Sequence, residues 1–431
     1  MGSIKWDIIF INNPEFNTYL NNNDFIELSS LSKLVRLKLM PFLFNNIFIG
    51  KNFAQSIVEE CNNSNNKLAH NIKCLSELRV AEYFNLFSRC TQKFLQYVKR
   101  IDIGSFIVSY QLLEVLYLLP ELTSLKISDI KVSLTTFKCV LDRLPKLESL
   151  EVEYIIFIQF KHESVQNDPI RLPKNLSYIN WQRNMVALCD LNEDPETLDY
   201  NYKGHLSNPG ESLFQVDYFP ELKKFVSLYT SSSFNNQFLL INPHLTWLNI
   251  NLQDTAESAS ILNHVQNIEK LELSANYVYE NFANLDLSLP NLKQLYQYNI
   301  NERTWQILEK LTQSSPNLTD ILLTLSIDID PPIIELINNI PNLQSLIIIS
   351  ERHFNFNFIE LKAKSQLKYL EIHFYCNINK VLEDLVHCTN LHQVSYSMDF
   401  QRNALNPIIT QEDTPKPWRL VLIGKSVNYY K

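Results

Sequence analysis

The chain has 431 residues, 45% apolar and 19% charged, which is enough apolar material for a long core and too much for a disordered polymer. Its formal net charge of −8 excludes the basic footprint that nucleic-acid binding needs, and argues equally against an anionic membrane surface. Seven cysteines, at 61, 74, 90, 139, 189, 376 and 388, include no CxxC pair, so buried reduced thiols are expected instead of a disulfide framework or a zinc knuckle.

The N-terminus carries Lys5, Trp6 and Asp7 where a secretory signal would have a basic start and an apolar run. No run of 18 apolar residues suggests a membrane span, so a cytoplasmic or nuclear protein is expected.

Residues 16–47 read FNTYLNNNDFIELSSLSKLVRLKLMPFLFNNI. Asp24 can cap a helix whose apolar stripe is Phe25, Leu28, Leu31 and Leu34; Leu37, Leu39, Phe42, Leu43 and Phe44 then cluster around Pro41. On the residues alone this is a small helical segment that could close the open end of whatever follows. It also resembles the F-box. The residues that carry the resemblance are Tyr19-Leu20, Asp24-Phe25, Leu28-Ser29, Leu31-Ser32-Lys33 and Pro41-x-Leu43-Phe44. The resemblance implies an all-helical domain over residues 1–50 that binds a Skp-type adaptor of cullin ubiquitin ligases. Tyr19, Leu20, Phe25, Leu28, Leu31, Pro41, Leu43 and Phe44 would make the contact.

After a linker over 51–70, the phrase Leu-x-x-Leu-x-(Leu/Ile/Val) returns about every 24 residues. Its first apolar positions are Leu122, Leu147, Leu176, Leu198, Leu222, Leu245, Ile268, Leu292, Leu318, Leu343, Leu367 and Leu391. Two earlier copies, Leu75-x-x-Leu78-x-Val80 and Val98-x-x-Ile101-x-Ile103, keep the phase. A fixed period of this size means stacked repeats, here over residues 71–431.

Each phrase is a strand by its alternation: Leu125 and Ile127 share one face, and Ser124, Lys126 and Ser128 the other. The second half of each repeat switches to helical spacing, as in Phe137, Val140, Leu141 and Leu144, in Trp305, Leu308 and Leu311, and in Val381, Leu382, Leu385 and Val386. Asn301 and Asp254-Thr255 are placed as helix N-caps. Proline two residues before the first Leu, at 120, 145, 220, 243, 290, 316 and 341, ends each helix. Stacking such units gives one parallel sheet backed by helices.

The pattern resembles the leucine-rich-repeat family in its ribonuclease-inhibitor-like form, which implies an α/β solenoid. That family keeps Asn or Cys eight residues after the first Leu. Ile130, Ile155, Gln253, Asn276, Ile300 and Ser326 stand at that place, so an asparagine ladder is not expected. Between about 155 and 215 the pattern frays, and 203–212 is expected as a protruding loop.

No catalytic constellation is visible. Six scattered glycines exclude a phosphate loop, and neither GxSxG nor HExxH occurs. His387, Cys388 and His392 read as packing at a helix end rather than as a metal site. Neither an enzyme nor a cofactor is expected.

Recognition falls to the strand face that alternation turns away from the core, at two, four and six residues after the first Leu. There Trp247, Asn249, Lys270, Glu272, Tyr296, Tyr298, Tyr369 and Glu371 mix aromatic and charged groups, the composition of protein-binding anchors. Cross-strand packing is the other role open to these aromatics. Taken together, the two resemblances imply the substrate-recognition subunit of an SCF-type ubiquitin ligase, with the adaptor and cullin subunits and a protein substrate as partners. A free-standing repeat scaffold or inhibitor is the alternative.

Overall fold

The structure, a computed structural model, describes residues 22–31, 33–49, 89, 92–104, 115–160, 169–189, 206–207, 213–228, 232–251, 261–274, 287–326, 332–350, 358–361, 366–374, 376–397, 414–423 and 426–431. It divides into two compact units: Met1–Gln215 with Phe219–Glu221, and Val216–Tyr218 with Leu222–Lys431.

In both units one local device begins most of the described repeats. The N–H of the first Leu donates to the carbonyl three residues back, as in Leu122 to Leu119 at 3.2 Å and Leu292 to Leu289 at 3.2 Å. Pro120 and Pro290 thus occupy the second position of a β-turn, where their fixed φ is favourable and no amide hydrogen is needed. In several repeats an asparagine just before the first Leu reaches back across the array. Asn175 donates to the Pro145 carbonyl (3.1 Å), Asn317 to Pro290 (2.8 Å) and Asn342 to Pro316 (2.8 Å). This is a polar ladder at the head of the phrase, built on an Asn-Leu pair that Pro precedes directly in two of the three and with Lys174 between in the other.

The first unit opens with α1 (Asn22–Leu31), α2 (Lys33–Leu43) and β1 (Asn46–Ile49). Parallel strands β2 (Arg100–Ile103), β3 (Ser124–Ser128), β5 (Ser149–Glu153) and β7 (Tyr178–Gln182) continue from β1 in that order. A second sheet lies behind them. It comprises parallel β4 (Lys131–Ser133), β6 (Ile156–Phe160) and β8 (Met185–Cys189), with β9 (Leu206–Ser207) antiparallel on β8. Helix α3 (Leu134–Asp142) is capped by the Ser133 hydroxyl and buries Phe137, Val140 and Leu141. The core closes on an aromatic cluster: Phe137 meets Phe157 edge-on at 5.1 Å, Phe157 stacks on Trp181 at 5.6 Å, and Trp181 meets Phe214 at 5.0 Å.

Four expectations change here. The first fifty residues are not all-helical, because Asn46–Ile49 is a strand paired with β2. Asp24 sits inside the first turn of α1 instead of capping it. Directly after β5 and β7 the described residues form the strands β6 and β8 where helical spacing was expected, since the continuous apolar run Ile155-Ile156-Phe157-Ile158 is β-branched and aromatic and suits a strand buried on both faces. Asparagine does stand eight residues after Leu176. Asn184 is buried, accepts from the Ile155 amide at 3.0 Å and donates to the Val152 carbonyl at 3.0 Å, closing the turn of the preceding repeat.

That turn needs a left-handed residue, and the chain supplies it without glycine. Asp129, Tyr154 and Arg183, each seven residues after a first Leu, have φ of 55°, 56° and 51°. Asn299 does the same in the second unit at 56°.

The second unit carries parallel β10 (Lys224–Leu228), β11 (Trp247–Asn251), β12 (Lys270–Ser274), β13 (Gln294–Ile300), β14 (Asp320–Leu325), β15 (Ser345–Ser350), β16 (Tyr369–His373) and β17 (Gln393–Ser397) in sequence order. Between them lie α4 (Ser232–Ile241), α5 (Glu302–Gln313), α6 (Ile333–Asn339) and α7 (Ile378–Asp384). Asn301 caps α5 as expected, its side chain accepting from Thr304 N–H at 3.0 Å. Trp305, Leu308 and Leu311 are buried, but Val386 is exposed, beyond the end of α7.

The array is not parallel to its end. β18 (Arg419–Ile423) and β19 (Ser426–Tyr430) form an antiparallel hairpin, and β19 pairs with β17. Lys431 Nζ then donates to the carbonyls of Leu385 (3.2 Å), Val386 (2.9 Å) and Cys388 (2.7 Å), placing a cation at the carbonyls just past the C-terminal end of α7. Cys388 is buried and Cys376 half-buried, its thiol pushed up to about 12 by burial. Cys139 is exposed, against expectation.

Both units are α/β, with mostly parallel strands and helices in the connections, the element order expected of leucine-rich repeats. Leu75, Leu78, Val80, Leu198, Asp254-Thr255, Asn276 and the linker 51–70 lie outside the described residues, as does most of 203–212.

Candidate partner-binding face

Of the expected residues, Trp247, Asn249, Lys270, Tyr296, Tyr298, Tyr369 and Glu371 are part-exposed and Glu272 is buried. In β11, Leu248 and Ile250 are buried while Trp247, Asn249 and Asn251 are part-exposed on the open face of the sheet. The register then aligns neighbouring repeats without a shift: Trp247 lies beside Lys270, and Asn249 beside Glu272, which lies beside Tyr296.

This register makes Glu272 the centre of the group. Its Oε1 accepts from Trp247 Nε1 at 3.0 Å and lies 2.9 Å from Lys270 Nζ, while Oε2 accepts from Asn249 Nδ2 at 2.9 Å. Glu272 is buried, with 9% of the residue exposed, and three donors satisfy its carboxylate. Lys270 also lies over two rings, 4.0 Å from the Trp247 centroid and 4.2 Å from that of Tyr296. Lys224 approaches Trp247 to 3.4 Å. Tyr298 belongs to the same group; burial first, and the Glu272 charge second, push its phenol up to about 12.

A second polar group stands on β16. Glu371 accepts from the Tyr369 hydroxyl and pairs with His373 Nε2 at 2.6 Å. The His373 hydrogen bond holds the Glu371 carboxyl below the usual carboxylate range; burial opposes this and the Tyr369 hydroxyl adds to it. The Tyr369 phenol is raised, by burial first and by its bond to Glu371 second.

The expected residues therefore form two groups, with two strands between them. Those strands, β14 and β15, present Leu322 and Ile347 on the open face, part-exposed and in register between Tyr296 and Glu371. Alternation alone turns Ile347 to this face, but neither it nor Leu322 nor Lys224 is among the expected site residues. The arithmetic that found Lys270 two residues after Ile268 finds Lys224 after Leu222, and finds Leu322 and Ile347 four residues after their own first Leu. Their apolar character hides the pair, since an isolated Leu or Ile on a strand carries no polar or aromatic signal of recognition.

At the N-terminus, Tyr19 and Leu20 lie outside the described residues. Phe25 is buried and stacks on Phe42 at 5.7 Å, and Phe44 stacks on Phe94 at 4.1 Å. Leu28 and Leu43 are part-exposed, Pro41 is exposed inside α2, and Leu31 ends α1. Phe25 and Phe44 thus make contacts within the chain.

Among the described residues no helix is long and apolar enough to cross a membrane, and no group of three or more His, Cys, Asp or Glu side chains is placed to hold a metal ion. His387 Nε2 lies 2.7 Å from the Leu361 carbonyl, a packing contact between neighbouring repeats.

No protein-family model matches the chain, and no curated protein matches it. Among solved structures it is similar to one described as a crystal structure of a TLR13–ssRNA13 complex, at 14% identity with a TM-score of 0.19. The match covers 69% of this chain, and the chain spans 64% of that one.

Proposed function

We propose that the chain is a protein-recognition subunit, the substrate receptor of an SCF-type ubiquitin ligase. The open face of β11–β16 takes the substrate and residues 1–50 take a Skp-type adaptor. The observation that carries the substrate half is the convergence of Trp247, Asn249 and Lys270 on the buried Glu272 carboxylate. Such a network fixes large amphipathic side chains in place while leaving them part-exposed, so a partner meets a surface whose side-chain entropy is already spent. The adaptor half rests on the sequence match from Tyr19 to Phe44. On this reading the chain itself catalyses nothing, needs no cofactor, and works in the cytoplasm or nucleus.

The test is recovery of the adaptor. Full-length chain should co-purify a Skp-type adaptor, and Leu28→Asp should abolish recovery without unfolding the repeats. A folded full-length chain that recovers none from its native cells removes the ligase reading.

A second reading, a free-standing scaffold or inhibitor, draws on the pairing of β1 with β2 and on the internal stacking of Phe25 and Phe44. These give the N-terminal helices a capping role that needs no adaptor.

A further inference from the structure

The sheet of the first unit ends on β1, whose outer edge is paired with nothing among the described residues. β1 runs parallel to β2, with Ile47 beside Ile101 and Ile49 beside Ile103. The amides of Arg100 and Gly104 donate to the carbonyls of Asn45 and Ile49, each at 2.9 Å, which fixes the phase of the ladder. Alternate residues of a strand bond to the same neighbour, so Asn45, Ile47 and Ile49 face β2. The N–H and C=O groups of Asn46 and Phe48 therefore point outward. The Phe48 side chain is 70% exposed, and Ile47 is only part-buried although its neighbour Ile101 is fully buried. Open edges in soluble proteins are guarded by charge, proline or a bulge. β1 has none of these: it reads Asn-Ile-Phe-Ile in unbroken register, and no charged residue stands between Lys38 and Lys51. In the second unit, by contrast, the last parallel strand β17 is covered by the antiparallel β19.

We propose that β1 is a contact between two copies of this chain, pairing antiparallel with its own copy about a twofold axis at Ile47. The inference goes beyond the recognition reading above and does not depend on it. In this register Asn46 lies opposite the partner's Phe48, and the two residues exchange both N–H···O bonds. The same happens on the other side of the axis, so every outward group of β1 is consumed in both copies. Ile47 meets its own copy across the axis, which covers its part-exposed side chain. The two Phe48 residues become diagonal neighbours on one face, about 7–8 Å apart and within reach of each other's rings. Three points select a second copy. Addition of a foreign strand takes its specificity from pockets for alternate side chains, whereas Phe48 is a projecting knob. Two identical strands always carry the same net charge and repel unless it is zero, as it is here. An isologous contact also consumes the edge of both copies, so it stops at two. A four-residue edge makes a small interface, so the dimer is weak, with a dissociation constant of micromolar order or above.

The experiment is sedimentation velocity on the full chain from about 1 to about 200 µM. Wild type should pass from monomer to dimer and go no further. Phe48→Pro removes an outward N–H together with the ring but none of the bonds to β2; Asn46→Pro removes the other outward N–H and keeps Phe48. Each should weaken dimerisation about tenfold or more, with circular dichroism establishing that the variant is folded. Two charge variants test the register. A chain with Asn46→Lys and Phe48→Lys, and another with Asn46→Glu and Phe48→Glu, should each stay monomeric alone. Mixed, they should associate about tenfold or more tighter than either with itself, because every Lys then lies opposite a Glu. Wild type that is monomeric at every concentration would overturn the inference and leave the edge to another protein's strand. Association beyond a dimer would overturn it too. A dimer that a folded proline variant keeps would place the contact elsewhere in the chain, and folded charge variants that gain nothing on mixing would exclude the antiparallel pairing.

Discussion

The indole Nε1 of Trp247 donates a 3.0 Å hydrogen bond to Oε1 of Glu272, one repeat further along the sheet. Trp247 is therefore both a part-exposed surface group and a cross-strand structural one, so truncating it to alanine should lower the thermal midpoint as well as affect binding. Trp247→Phe keeps an aromatic face but removes the pyrrole half of the indole together with the donor. It should cost about 1.5–3 kcal/mol in denaturant melts, the range for a hydrogen bond to a charged group. A cycle with Glu272→Gln should give a coupling of about 0.5–3 kcal/mol; strict additivity would mean that the bond contributes nothing.

The strand register gives a sharper contrast. Leu346 is fully buried, whereas its neighbour Ser345 is part-exposed on the open face. Leu346→Ala should cost about 2–5 kcal/mol, through lost transfer energy and a residual cavity, and Ser345→Ala under about 1 kcal/mol. Similar costs in urea unfolding would shift the register by one residue.

Asn184 closes a turn that its own repeat does not contain, accepting from Ile155 N–H and donating to the Val152 carbonyl. Asn184→Ala leaves both backbone groups buried and unpaired, a loss of about 2–5 kcal/mol. Asn342→Ala removes an exposed bond to the Pro316 carbonyl, which water can replace, and should cost under about 1 kcal/mol. Comparing the two by chemical denaturation checks whether burial of the asparagine, more than its type, sets the penalty.

How much of this was legible follows from which period each part obeys. The strands were readable because alternation has period two and the phrase fixes its phase, so Leu248 and Ile250 fell inside and Trp247 outside. Behind the sheet the sequence was ambiguous. A short apolar run such as Ile155–Ile158 fits a buried strand or a piece of buried helix, and only packing against Val132 and Val186 decides between them. The site was half legible. Counting from each first Leu located Glu272, but its three donors come from two strands whose mutual register no single repeat encodes. The C-terminal hairpin β18–β19 breaks the repeat period altogether, so repeat counting could not anticipate its antiparallel pairing.

Acid should expose the Glu371 group. Its folded pKa is lowered from a reference of 4.5, chiefly by His373, so its contribution to stability is present above that value and is lost as pH falls through the lower folded one. Below about pH 4.5 the wild type should therefore lose midpoint faster than Glu371→Gln, and the two curves should converge. Parallel curves from pH 6 to about pH 2.5 in a thermal-shift series would show that the pair contributes nothing.

The most direct test of the account compares what the wild-type chain and a Trp247→Ala, Tyr369→Ala double variant retain in pull-downs. Both are full-length and tagged, and circular dichroism first establishes that the variant is folded at the assay temperature. A true anchor costs about 2 kcal/mol or more when truncated, roughly thirtyfold in affinity for each residue. The account predicts that the variant loses the substrate-class partners captured by wild type while recovering the Skp-type adaptor at an unchanged yield. Retention of every partner at wild-type yield by the folded variant would contradict it and take recognition off the open face of β11–β16.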